Sequence, residues 1–218
     1  MVTNYAYVYG EVVTRPAFDH TLNNVDIYSF FIKIARRSGT CDILPVHAPA
    51  QLLRRHKIEQ GMTLGITGQF RSYSYRSDGG CHLKLYIYAS EVKKGLAEEV
   101  NYIALSGTLC KSPIYRTTLS GDEVSDLMVA INRPNGRSDY IPAIVWSKNA
   151  RFAAGLSVGT HVVLIGRIQS RNYNKVLPDG SIQLMVAYEV SAFFAEATLK
   201  IESVINYRKG VTFNGNVG

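Results

Sequence analysis

Arg71, Tyr73, Tyr75 and Arg76 interleave cation and ring over one short stretch, and Arg171 with Tyr173 repeats the pattern further along the chain. Such interleaving suits a single-stranded nucleic acid: unpaired bases stack on flat rings while cations meet the phosphates. Tyrosine-rich hairpins also use their rings for cross-strand packing, and the sequence leaves both readings open. Other chemistry has little support. His20, His47, His56, His82 and His161 form no HxxxH or other metal-ligand spacing, so no metal is expected. Cys41, Cys81 and Cys110 are odd in number and lack a CxxC pair. Disulfide frameworks and zinc sites are therefore unsupported, and a reducing cytoplasm is expected. Asp42 and Asp139 supply one carboxylate to each half of the chain, which is not an acid–base pair; turn or strand-start chemistry accounts for them. The glycines form neither a P-loop nor a dinucleotide fingerprint. Neither catalysis nor a cofactor is expected.

The elements that must carry these side chains are written twice. At an offset of 97, Asn4-Tyr5 recurs as Asn101-Tyr102, Gly10 as Gly107 and Pro16 as Pro113. Thr21-Leu22 recurs as Thr118-Leu119, and Ile34, Arg36, Gly39, Asp42 and Pro45 as Ile131, Arg133, Gly136, Asp139 and Pro142. These are 11 identities in 42 positions, where unrelated sequence gives about 2 or 3. Past Pro45 the offset becomes 98, pairing Gly61, Gly68, Ser72 and Tyr75 with Gly159, Gly166, Ser170 and Tyr173. A repeat of this length is a whole small domain, not a solenoid unit. The expected division is 1–95, 96–197 and an extension, 198–218.

The chain of 218 residues is 46% hydrophobic, enough for each half to bury a core. No apolar run is long enough to span a bilayer, and the start shows no signal-peptide pattern. The net charge is +7. It is uneven: residues 1–95 hold 12 Lys and Arg against 7 Asp and Glu, whereas residues 96–198 hold 9 of each. That suggests a polyanionic partner, although basic residues also serve solubility.

Within the first half, residues 4–13, 26–36 and 41–46 alternate as strands. Residues 49–56 read as a short helix with Pro in its first turn, and 62–73 and 81–92 as two further strands around the Asp78-Gly79-Gly80 turn. Gly10 and Gly68 suggest bulges or bends. Pro45 places its strand on an edge or at a bulge. The second half repeats this with strands at 101–110, 124–133, 139–146, 160–173 and 181–193 and a helix at 148–154. Three strands, a helix and two strands is the order of the OB-fold, so the expected class is all-β, with two tandem five-stranded Greek-key barrels.

The second half resembles bacterial-type single-stranded DNA-binding proteins. The resemblance rests on NYIALSGTL, Ser112-Pro113, VAINR at 129–133, YIPAIVWSKNA at 140–150, VGTHVVLIGRIQSRNY at 158–173 and YEV at 188–190. In that family each OB-fold holds a strand with aromatic and basic side chains, and four OB-folds assemble. The resemblance implies single-stranded DNA as partner and a homodimer of this chain, with the Tyr-rich first strand (Tyr5, Tyr7, Tyr9) pairing across the two-fold. It also implies stacking at Tyr140 and Trp146, six residues apart and so on one strand face. Phosphate contacts are implied at Arg36, Arg37, Arg133 and Arg137, which flank the turn between strands two and three. Lys148 beside Trp146 completes the candidate set, with Arg71, Tyr73, Tyr75, Arg76, Arg171 and Tyr173. Arg54, Arg55 and Lys57 on the helix read as solvated.

Two departures stand out. Ile43 and Pro49 occupy the first-half positions of Tyr140 and Trp146, so the rings and the excess charge fall in different halves. The chain also ends TFNGNVG, without the acidic tip common in the family. That suggests a specialised or mobile-element paralogue. The alternative function is an OB-fold assembly module with little nucleic-acid binding.

Overall fold

Among the described residues the chain forms twelve strands and two short helices. The computed structural model describes residues 3–36, 38–77, 80–95, 100–177 and 179–196. In the first half, β1 (Asn4–Val12), β2 (Ala17–Leu22), β3 (Val25–Ala35) and β4 (Cys41–Pro49) precede α1 (Ala50–His56), then β5 (Thr63–Ser77) and β6 (Gly80–Lys94). The second half repeats the order as β7 (Asn101–Leu109), β8 (Ile114–Thr117), β9 (Glu123–Asn132), β10 (Ser138–Trp146), α2 (Ser147–Ala154), β11 (His161–Val176) and β12 (Ile182–Glu196).

Each half closes on itself. β1 pairs with β3 at one end and β5 along its length, β3 with β4, β5 with β6, and β4 runs parallel to β6. The same circuit joins β7, β9, β10, β12 and β11. These are the two five-stranded Greek-key barrels of the OB-fold. Phe30, Phe70, Ile32 and Leu44 fill the first barrel, and Ile103, Leu105 and Val129 the second. Full burial of a side chain of this size contributes about 1.5–3 kcal/mol.

Closure depends on glycines at matching positions. Beyond Gly10, β1 pairs with β3, and a Cβ at Gly10 would stand 2.2 Å from the Lys33 carbonyl oxygen. At Gly107 it would meet the Ala130 carbonyl at 2.6 Å. Opposite Thr67 and Gly68 of β5 and Ile165 and Gly166 of β11, the partner strands bulge, with Ser90 of β6 and Phe193 of β12 as the extra residues. There a Cβ would lie 2.2 Å from the Tyr88 oxygen and 2.1 Å from that of Ser191. Pro45 is tolerated because β4 pairs with β6 only at Val46 and His47.

β2 and β8 are strands that the sequence reading leaves as loop. Every residue of both is exposed, so no apolar period marks them, and each owes its form to pairing with its neighbour, β3 or β9.

The two barrels join through β1 and β7, antiparallel from Asn4 opposite Leu105 to Val8 opposite Asn101. Ala6 faces Ile103, its own counterpart at offset 97, so the join is a pseudo-two-fold of isologous form. The first strand therefore meets its two-fold partner inside one chain rather than across two copies. With β5 on one side and β7 on the other, β1 offers no free edge to a second chain.

Candidate nucleic-acid interface

The pseudo-two-fold positions the candidate residues by locking each barrel's β-turn against the other barrel's hairpin. Asp139, only 2% exposed, accepts the Ser72 amide at 2.6 Å and Arg133 Nε at 2.7 Å. Arg133 Nη2 binds Asp139 Oδ1 and donates to the Ser72 carbonyl at 3.0 Å. The Tyr140 amide donates to Ser72 Oγ at 2.7 Å. The mirror set is Asp42, Arg36, Ile43 and Ser170: Asp42 accepts the Ser170 amide at 2.8 Å and Arg36 Nε at 2.8 Å, and the Ile43 amide donates to Ser170 Oγ at 3.1 Å. Asn4 clamps the Phe70 backbone at 2.7 and 2.9 Å, and Asn101 clamps that of Ile168 at 2.6 and 2.9 Å. Asp42 and Asp139 are thus junction residues, not turn formers. The repeat itself carried the signal, since Asn4, Arg36, Asp42 and Ser72 all recur.

The same lock creates a groove of about 760 Å³ between the halves. Its first-half wall comes from the β5–β6 hairpin, with Arg71, Tyr73, Lys84 and Tyr86. Its second-half wall comes from β9, the following turn and β10, with Arg133, Arg137, Ser138 and Tyr140. Tyr140 is 43% exposed and Tyr73 57%, both large rings presented to solvent. Four cations (Arg71, Lys84, Arg133, Arg137) face one lining carboxylate, Asp19. Burial, and then the charge of Arg133, lowers the Arg71 guanidinium below its ordinary value. Its hydrogen bond with Asp139 raises that of Arg133. Burial raises the Tyr86 phenol. A cation that its neighbours already crowd gains from an incoming anion.

Arg71 is held over the Tyr88 ring at 4.0 Å and donates to Gln69 at 2.8 and 3.1 Å. Along the hairpin Tyr73 stacks on Tyr75 at 6.3 Å, and Tyr75 on His82 across the strand pair at 5.3 Å. Tyr75 thus packs across the hairpin, while Tyr73, stacked on it at one side, keeps 57% of its surface exposed. Arg76 is exposed further out on β5. Lys84 and Tyr86, absent from the sequence candidates, alternate with Tyr88 on β6, a period-two signal that the chain carried.

The remaining candidates lie elsewhere. Trp146 shares the outward face of β10 with Tyr140, since Ile141, Ala143 and Val145 point to the core. Yet Trp146 lines a different cavity of about 520 Å³ with Arg36, Arg167 and Phe193, and its indole donates to Ser191 Oγ at 3.1 Å. Lys148 is exposed in the first turn of α2. Arg171 lies 3.7 Å from Glu189 on the other hairpin, where Tyr173 is 38% exposed. Arg36, like Arg133, is engaged in the junction. Arg37, the Asp78-Gly79 turn, most of the expected boundary region and the segment 198–218 lie outside the described residues.

The site is thus a basic, aromatic groove between two paired barrels of the OB-fold. The fold comparison agrees: the wild-type single-stranded DNA binding protein from Thermus aquaticus superposes with a TM-score of 0.69 at 20% identity, over 90% of this chain and 93% of that one. Residues 100–190 match the model of the single-strand binding protein family. A single-stranded DNA-binding protein of Enterococcus faecalis is 38% identical over 81 residues, which cover 34% of this chain and 43% of the relative. Single-stranded DNA-binding protein 1 of Staphylococcus aureus is 37% identical over 81 residues, 34% of this chain and 48% of that protein. The chain spans about half the length of the curated relatives it matches.

Proposed function

We propose that the protein binds single-stranded DNA with little sequence preference, in replication, repair or transfer, and without catalysis. The observation that carries this is the composite groove. It sets the exposed rings of Tyr73 and Tyr140 among four cations drawn from both halves. Stacking tolerates any base, and the cations meet the backbone. The family match of residues 100–190 supports the same reading.

The chain acts as two domains, 1–95 and 96–197, followed by the 198–218 extension. A homodimer gives four OB-folds. Its contact is the outer face of the joined sheet, where Tyr5, Tyr102, Val163, Ile165 and Phe194 form a second apolar cluster apart from the barrel cores. The protein works in the cytoplasm; among the described residues no helix is long and apolar enough to cross a membrane.

The alternative, an assembly module, draws on Arg36 and Arg133, whose guanidinium groups serve the junction. Fluorescence anisotropy with labelled oligo-dT, against a duplex of equal length and at two salt concentrations, separates the two. Tight, salt-weakened binding of the single strand is expected. No binding at low salt would leave the assembly reading in possession, and equal affinity for duplex would overturn both.

A further inference from the structure

We propose that Asp19, His20 and His47 bind one divalent transition-metal ion, with zinc the best fit, at the rim of the inter-domain groove. Their ligand atoms all lie within 4.8 Å of one another. Asp19 Oδ2 is 2.5 Å from His20 Nδ1 and 3.9 Å from His47 Nδ1. Zinc held at about 2.0–2.1 Å in a tetrahedron sets its ligand atoms about 3.4 Å apart. The two separations from Asp19 must therefore open and close by less than about 1 Å, and that between His20 and His47, at most 4.8 Å, must close by no more than about 1.4 Å. The side chains that must move are the accessible ones, His20 at 44% and Asp19 at 36% exposure. His47 is the fixed ligand, stacked on the Tyr86 ring at 4.1 Å.

Backbone register brings the three together. Successive strand residues point to opposite faces, so adjacent Asp19 and His20 should diverge. The pairing of β2 with β3 steps from Phe18–Tyr28 to His20–Ile27, leaving Asp19 as the extra residue of a bulge. Bulges re-aim side chains in this way. His47 stands two strands away on β4, opposite Ser29 of β3, and that small side chain leaves room above the sheet. A second observation points to a ligand. Nδ1 of His47 is buried and makes no hydrogen bond to any described residue. The large majority of buried side-chain polar atoms in folded proteins are satisfied, and a metal ion would satisfy this one. Two imidazoles and a carboxylate suit zinc among the common divalent ions, and three protein ligands leave a position open. All three residues line the groove, so that position faces it. No ligand motif announces the site, because His20 and His47 are far apart in sequence.

The test uses the untagged full chain, stripped with a chelator and dialysed. Zinc is titrated in competition with a chromophoric chelator, cobalt is followed by its visible ligand-field absorption, and histidine ring resonances are followed by NMR. One ion per chain is expected, with the His20 and His47 rings responding first. D19N and H20Q, both on the exposed strand β2, should each weaken binding at least about tenfold, the loss that even a supporting contact to a metal site can cause. H56Q should leave it unchanged. Melting curves confirm that the variants fold. Absence of zinc binding, or wild-type affinity in the folded D19N/H20Q double variant, would overturn the proposal and leave Asp19 as a hydrogen-bond partner of His20 alone.

Discussion

Asp139→Ala should unlock the junction between the barrels. The carboxylate is 2% exposed and receives the Ser72 amide at 2.6 Å and Arg133 Nε at 2.7 Å. Its loss leaves Arg133, whose side chain is 16% exposed, with the Ser72 carbonyl at 3.0 Å but no counter-charge. Removing one member of a buried ion pair costs about 3–5 kcal/mol, and the residual exposure of Arg133 puts this pair at the lower end. The Ser72 amide, stranded in a buried residue, adds about 1–3 kcal/mol. The combined loss is about 4–6 kcal/mol. For a chain of this size each kcal/mol moves Tm by about 2–4 °C, so a fall of roughly 10–20 °C is expected by calorimetry. Asp139→Asn, which keeps an acceptor for the amide, should lose about half as much. Asp42→Ala should lose less than Asp139→Ala, because its partner Ser170 is only half-buried. A fall below about 3 °C for Asp139→Ala would refute the reasoning and show that the β1–β7 ladder and the Asp42–Ser170 contacts hold the halves without it.

Tyr140→Ala and Tyr73→Ala should each weaken oligo-dT binding by about 1–3 kcal/mol, or roughly 5- to 150-fold, at unchanged Tm; anisotropy measures it, and wild-type affinity in both variants would move the binding face. Arg137→Gln should lower the slope of log K against log salt by about 0.7 while weakening all sequences alike. Gly166→Ala should yield little folded protein, because the new methyl meets the Ser191 carbonyl at 2.1 Å across a bulge; an unchanged melting curve would show that the bulge can relax. Trp146 emission should respond more weakly to oligo-dT than Tyr140→Ala affects affinity, since the indole is bonded to Ser191 in a cavity apart from the groove; full quenching would put the strand in that second cavity.

The duplicated barrel was legible because its signals are local. Period-two alternation marks β1, β3, β5 and their repeats, and Gly10, Gly68, Gly107 and Gly166 mark where strands must bend or bulge. β2 and β8 were not legible, because strands exposed at every residue bury no face and so leave no period. Among the candidate site residues, the rings and cations of the Arg71–Arg76 stretch and of Tyr140 were legible by type. What each would do was not. Arg133 and Tyr140 lie seven positions apart, yet one faces a carboxylate at the junction while the other is open to solvent.

Composition and repetition were enough to establish two copies of one small barrel, an excess of positive charge in the first, and rings in the second at positions where the first has Ile43 and Pro49. They left charge and rings in separate halves. The pseudo-two-fold removes that separation: the register Ala6 opposite Ile103 swings the basic hairpin of one barrel against the ring-bearing strand of the other. It also turns the recurring Asp and Arg into a lock, and it is strand pairing that gathers Asp19, His20 and His47. These outcomes depend on contacts between residues far apart in the chain. A period along the sequence reports which face of a strand is buried, whereas pairing register and docking angle decide what that face meets.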